Sequence, residues 1–510
     1  MRNVTQSTRV VGKGLLGLAE LRNRCYSVAG ALLVGLAIAI CFGTMYGIEA
    51  QAADPTMLDP NLAVRMVVDG LNQPTSMAFL GLNDILVLEK PTGKVQRVAN
   101  GVIQGPVLDL AVNSASERGL LGIALHPDFP SNPGVYLFWT ESSTGADSGN
   151  LAEVPLLGNR VDRFVWNGST LTFGQNLITL RAFQADAGQP LRGNHDGGVI
   201  KFGPDRKLYI FIGDNGRRGQ LQNLPDGPFG PGVPDDQFGG PEPDNAHLTG
   251  VILRLNDDGT APTDNPFFAV GAAMGGEVGA NIKKIFAYGL RNSFGMAFDP
   301  ISGNLWLEQN GDDSFTELGL IRAGTNGGWV QIMGPVSRIA EFKSIELTLP
   351  PSGGVPGAEL QQVRWPATNI ADTPEEALSR LFMLPGSHYS DPEFSWKFEV
   401  APAGIGFLNS RALGPQFFGD LFMGAATANL VGGYLFHFNL TGNRRKIAVD
   451  DPRLEDRVAD NLAKHEITES ESLLIGRDFG IGTDIQTAPN GNLFVVSLSH
   501  GAIYEIFRNR

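Results

Sequence analysis

Cysteine is nearly absent. The only two, Cys25 and Cys41, lie in the first 52 residues, so residues 53–510 have no disulfide and no thiol chemistry available. A chain of this length needs no such staple, because it can bury a large core. Excess positive charge is absent too. Lysine and arginine number 39 against 53 acidic residues, a net charge of −14 that becomes −17 once residues 1–52 are set aside. Such a body repels nucleic acid and anionic membranes, and no basic run offsets it, so nucleic acid is excluded as a partner. Several enzyme signatures are lacking. No G-x-G-x-x-G opens a βαβ unit, no G-x-x-x-x-G-K-[ST] is present, no serine stands in G-x-S-x-G, and the seven histidines include no H-E-x-x-H. These absences argue against nicotinamide chemistry, nucleotide hydrolysis, nucleophile-elbow hydrolysis and zinc.

Charge is also missing from Cys25 to Ile48, which follows a basic start at Arg2, Arg9, Lys13, Arg22 and Arg24. Ala50-Gln51-Ala52 then gives an A-x-A site. The segment 1–52 reads as a cleaved secretory signal peptide. The alternative is a retained N-terminal membrane anchor, with Arg22 and Arg24 on the cytoplasmic side. Either way residues 53–510 are expected outside the cytoplasm, periplasmic or secreted, and a membrane is a partner only if the leader is retained.

Glycine is abundant, with 65 copies, and a turn-then-strand unit recurs. It appears at Asn83–Leu88, Gly134–Trp139, Lys207–Ile212, Gly303–Leu307, Gly419–Gly424 and Gly491–Val496. Asn, Asp or Gly precedes each apolar strand. A signature repeated about six times at irregular spacing predicts an all-β fold, a six-bladed β-propeller with long rim loops, over 53–510. The loops are expected at Pro225–Pro243 and Ser337–Ser387, the latter with a helical alternative at Thr373–Phe382.

The stretch richest in chemistry is Gly193-Asn194-His195-Asp196-Gly197-Gly198. Glycines let backbone approach a ligand closely, and imidazole takes a proton near neutral pH. His195 is therefore a candidate general base, though an ordinary turn would have the same composition.

Beyond single residues, a set of spaced motifs resembles the soluble glucose/sorbosone dehydrogenase family. It comprises Glu117–Gly122 with His126-Pro127-Asp128-Phe129, then residues 194–216, Tyr288–Asn292 with Gly295, Glu308–Asp313 with Glu317, Asn326–Trp329, and Val400-Ala401-Pro402. The resemblance implies a six-bladed propeller that oxidises an aldose or related alcohol with pyrroloquinoline quinone and calcium, and passes electrons to a respiratory carrier. It implies His195 as the base, Arg291 as the residue that orients the quinone and stabilises its charge, and Asn292 and Glu117 as further cofactor contacts. The loop Gln309, Asn310, Gly311, Asp312 and Asp313 matches the calcium-holding region, and its oxygens suit that ion.

The family also anchors the tricarboxylate cofactor late in the chain, with a lysine and an Arg-x-Arg just before an aspartate. Here those stretches read Ala425–Leu430 and Gly480-Ile481-Gly482-Thr483-Asp484, without a base. Arg217, Arg218 and Arg477 are the candidate substitutes. Two other readings stay open: a non-redox propeller that binds sugars or partners, and a calcium-dependent lactone or ester hydrolase.

Overall fold

The structure, a computed structural model, describes residues 53–187, 191–224, 248–348 and 365–509. The leader, the loop at 225–243 and the middle of the 337–387 insertion lie outside the described residues. Strands dominate, in a β-propeller arrangement. They form six sheets of four to six strands and one two-stranded ribbon.

Each recurring unit becomes the second strand of a different sheet: Asp84–Glu89, Gly134–Thr140, Leu208–Ile212, Leu305–Gln309, Leu421–Ala425 and Leu493–Ser497. These strands are buried almost throughout, which is why they read as unbroken apolar runs. Gly303 and Gly491, at φ of +73° and +86°, make the turns that open two of them.

A partner strand precedes each and pairs with it antiparallel: Pro74–Gly81, Leu120–Leu125, Ile200–Phe202, Met296–Phe298, Pro402–Phe407 and Gly482–Thr487. All six of these strands contribute to the wall of one cavity of about 560 Å³. Packing between neighbouring sheets is aromatic in places. Trp306, Trp396, Phe436 and Phe438 share one buried cluster, and the Phe394 and Trp396 rings meet edge-on at 4.7 Å.

The two ends of the chain share a sheet. Leu62–Val68 pairs antiparallel with Ala502–Arg508, beside two further strands from the chain's last quarter. Arg65 and Glu505 meet across this seam at 2.6 Å, but the arginine is 63% exposed and the pair adds little.

The 337–387 stretch is more helical than a rim loop. Ile339–Thr348 is a helix that buries Ile339, Phe342 and Ile345, an i, i+3, i+6 stripe. The helical alternative at 373–382 takes the form of a short helix, Pro374–Ser379, capped by the Thr373 hydroxyl, which accepts from the Glu376 amide at 3.2 Å. Among the described residues no helix is long and apolar enough to cross a membrane.

Candidate active site

The glycines around His195 are required by close packing. Gly197 has a φ of +63°, and a Cβ there would sit 2.6 Å from the Phe211 ring; Gly198, at +98°, would meet Leu121 at the same distance. His195 itself is held at a φ of +60°. A side-chain-bearing residue in that region stores about 1–3 kcal/mol of strain, and such strain concentrates at functional sites. Two hydrogen bonds hold it. The His195 amide donates to Glu117 Oε2 at 2.6 Å, and its carbonyl accepts from Asn215 Nδ2 at 2.8 Å.

The His195 ring does not use the adjacent Asp196. Its Nδ1 lies 2.6 Å from Asp214 Oδ1. Asp214 also accepts from the Gly216 amide at 2.8 Å, Arg218 Nη1 at 2.8 Å and Trp329 Nε1 at 2.7 Å. Burial opposes ionisation of Asp214, but the charges of Arg218 and Arg291 and the hydrogen bond from His195 outweigh it and hold the carboxyl well below the usual range. An ionised acceptor at Nδ1 fixes the tautomer with the proton there and leaves a lone pair on Nε2. Among the described residues Nε2 has no hydrogen-bond partner. Asp196 points elsewhere, to Asn159 Nδ2 at 2.9 Å, and burial raises its carboxyl to about 6.

Arg291 and Asn292 join the same network. The Asp214 amide donates to the Arg291 carbonyl at 2.8 Å, and Asn292 Nδ2 donates to Glu117 Oε2 at 3.0 Å. The guanidinium groups of Arg218 and Arg291 each lie 5.4 Å from the centre of the Trp329 ring, so one indole serves two cations. Arg291 Nη1 donates to the Asn310 carbonyl at 2.8 Å, and Nη2 lies 3.4 Å from Asp312 Oδ1.

The loop 309–313 divides in two. Gln309 is taken up by protein, accepting from the Arg291 amide and donating to Glu317 Oε2. Asn310 Nδ2 donates to Glu308 and to the Pro402 carbonyl, and the Gly311 amide donates to Glu399 Oε2 at 2.6 Å. Asp312 and Asp313 instead gather with Glu346, with one carboxylate oxygen from each lying within 4.8 Å of the others. Lys464 Nζ donates to the Asp312 carbonyl and to Asp313 Oδ1, both at 2.6 Å. Burial, with Asp312 and Asp313 nearby, pushes Glu346 up to about 7. An oxygen-only set of this kind is the donor chemistry of a hard cation. Glu346 lies in the insertion helix and Lys464 far along the chain, where no sequence signal marked them. Asp214 and Trp329 stood in the motifs without a role.

Residues 71–338, just over half of the chain, match the glucose/sorbosone dehydrogenase family. The chain belongs to this family. It is 32% identical over 285 residues to quinoprotein glucose dehydrogenase B of Acinetobacter calcoaceticus, covering 54% of this chain and 53% of that protein. It is 24% identical over 436 residues to aldose sugar dehydrogenase YliI of Escherichia coli strain K12, covering 85% and 89%. The fold is shared with the PQQ-bound form of an aldose sugar dehydrogenase from Streptomyces coelicolor, with a TM-score of 0.52, 23% identity, and coverage of 88% of this chain and 98% of that one.

As a glucose/sorbosone dehydrogenase family member, the protein departs from expectation on one wall of its cavity. Ile481 and Thr483, which stand where the sequence comparison placed the Arg-x-Arg, both line it, and so does Leu430. The candidate substitutes are engaged elsewhere. Arg217 pairs with Asp186 at 2.7 Å, and Arg218, 0% exposed, pairs with Asp214. Arg477 ends the strand Leu474–Arg477 and is registered against Thr56 and Tyr434, outside the cavity lining. Among the described residues, the charged ones that do line the cavity are Lys90, Lys201, Glu117 and Asp484.

Proposed function

We propose that this protein is an oxidoreductase that oxidises a sugar or related alcohol, with His195 as the base. The observation that carries the reading is the His195–Asp214 pair with Nε2 left open, beside a cavity lined by Glu117, Gly197 and Gly198. A substrate hydroxyl that donates to Nε2 loses its proton there as the O–H bond breaks, while the hydrogen of the adjacent C–H bond leaves with its electron pair to an electron acceptor in the cavity. Asp214 stabilises the resulting imidazolium, while Glu117 and Asn215 keep the ring's backbone from turning away. The six sheets count as the six blades of the propeller on this reading. The leader supports export, with electrons leaving to a respiratory carrier.

Two groups implied by the family differ in how well they suit these residues. For calcium the donor chemistry fits: Asp312, Asp313 and Glu346 would hold the ion, which supplies a fixed positive charge near Arg291. For pyrroloquinoline quinone it does not. Arg291 and Asn292 are in place, but Leu430, Ile481 and Thr483 stand where the family's late basic residues would, with no cation among the described residues of that wall to meet a tricarboxylate. No step is therefore routed through that group. The apolar wall also favours a second reading, a non-redox propeller that binds a small ligand.

The test is dye reduction by the purified full chain with calcium and a panel of aldoses, supplied in turn with pyrroloquinoline quinone and with an uncharged naphthoquinone. Sugar-dependent reduction that disappears in His195→Ala supports the oxidoreductase. No reduction with either acceptor sinks it in favour of the non-redox reading.

A further inference from the structure

We infer that the central cavity is a binding site for an uncharged, apolar ring molecule, in place of a tricarboxylate. Its volume of about 560 Å³ falls within the range of small-molecule sites, roughly 300–1,000 Å³. Among the described residues two bases and two acids line it, a formal charge of zero. The bases are already committed. Lys90 Nζ donates to the Ser114 and Ser116 carbonyls at 3.0 and 2.7 Å, and Lys201 Nζ lies 3.3 Å from Asp484 Oδ1. Asp484 is saturated as well. Its Oδ2 accepts from the Ser76 hydroxyl, the Met77 amide and Gln486 Nε2. Burial pulls the Lys90 ammonium down to about 8, as expected where charge is poorly solvated.

Apart from Gln73, Thr75, Ser76, Ser116 and Thr483, the remaining described wall is apolar. Leu121, Phe294, Met296, Leu430, Ile481 and Leu498 face the space, and Gly198, Gly295 and Gly404 expose bare peptide against which a ring can lie. A trianion entering here loses its hydration and meets only Lys90, held by two carbonyls, and Lys201, already paired with Asp484, whereas an uncharged ring gains apolar burial without that loss. Spare hydrogens on Lys90 and Lys201 can each meet a carbonyl or hydroxyl oxygen, giving the ring a preferred orientation.

The proposal is tested by calorimetric titration of the purified full chain with menadione, and separately with pyrroloquinoline quinone plus calcium. Saturable menadione binding, tighter by about tenfold or more, is expected. Equal or tighter binding of pyrroloquinoline quinone, or no saturable menadione binding, overturns the proposal. A second titration uses the triple variant Leu430→Lys, Ile481→Arg, Thr483→Arg, checked for folding by circular dichroism. The preference should swing towards pyrroloquinoline quinone by about a hundredfold, since charge-assisted contacts to carboxylates are the strong ones. An unchanged preference in a folded variant means that this wall does not select the ligand. Both titrations read binding rather than turnover, so a failed oxidation assay leaves their result standing.

Discussion

On the side of the cavity built by Leu120–Leu125, Ile200–Phe202 and Met296–Phe298, polar groups converge. Glu117 holds both the His195 backbone and Asn292, and Asp214 gathers His195, Arg218 and Trp329. On the side built by Pro402–Phe407 and Gly482–Thr487, Leu430, Ile481 and Leu498 face the same space with little to bond. The first side is over-determined. Each residue satisfies a buried neighbour, so no single change is free. On the second side Leu430, Ile481 and Leu498 carry few obligations to the fold, and only Asp484, tied to Ser76, Met77, Gln486 and Lys201, is bound as tightly as the first side. The difference teaches that reaction chemistry and ligand anchoring are separable on one ring of strands.

Substitutions can break or sharpen that contrast. The largest effect is expected for His195→Ala, a fall in turnover of about 100- to 10,000-fold with binding of the cavity ligand retained. Steady-state kinetics beside the calorimetric titration check it, and unchanged turnover removes His195 from the mechanism. Asp214→Asn should come next. It leaves the His195 tautomer unfixed and removes an ion partner of the buried Arg218, at a cost of about 3–5 kcal/mol in urea denaturation. Native-like stability in that variant would mean that the network is not what holds the site.

Asp196→Asn probes the same side through pH. The Asp196 carboxyl is raised by burial to about 6, so the fold favours its protonated form. Its contribution to stability is therefore full below about pH 4 and is lost as the pH rises through 6, on the order of 3 kcal/mol in total. Urea denaturation from pH 4 to 8 should show this loss in the parent and a flatter profile in the variant; parallel profiles would rule Asp196 out as its source. The smallest effect belongs to the apolar side. Leu430, 50% exposed, should tolerate Ala within about 0.5 kcal/mol. A thermal melt lowered by many degrees would show that the late wall is a structural element after all.

Much of the fold was legible because each recurring unit is buried on both faces and announced by a turn. His195 was legible from its glycines, but its partner was not, because Asp196 stands next to it and looks the part. The hairpin register alone does not supply the missing signal. Ile200 pairs with Ile210 and Phe202 with Leu208. Continued outwards, that ladder would set His195 opposite Asn215 and Asp196 opposite Asp214, but the positive φ of His195, Gly197, Gly198 and Asn215 breaks the alternation, and the ring meets Asp214. The apolar wall was foreshadowed by the missing bases at 425–430 and 480–484, although only the structure puts Leu430, Ile481 and Thr483 on one surface. Glu346 and Lys464 were invisible because an insertion and a distant loop deliver them, and no local period encodes where such segments return.

The sheet shared by the two chain ends has a consequence for how the molecule is made. Arg65 and Glu505 are 440 residues apart in sequence. Until Ala502–Arg508 has been synthesised and has found Leu62–Val68, the circle of sheets is open and the first strand lacks its neighbour. Contacts so distant along the chain are slow to form, because a long loop must close before any of them repays it. Ring closure is therefore expected to be a late event in folding, and a chain ending short of residue 502 should remain an open, protease-sensitive arc rather than a slightly smaller propeller.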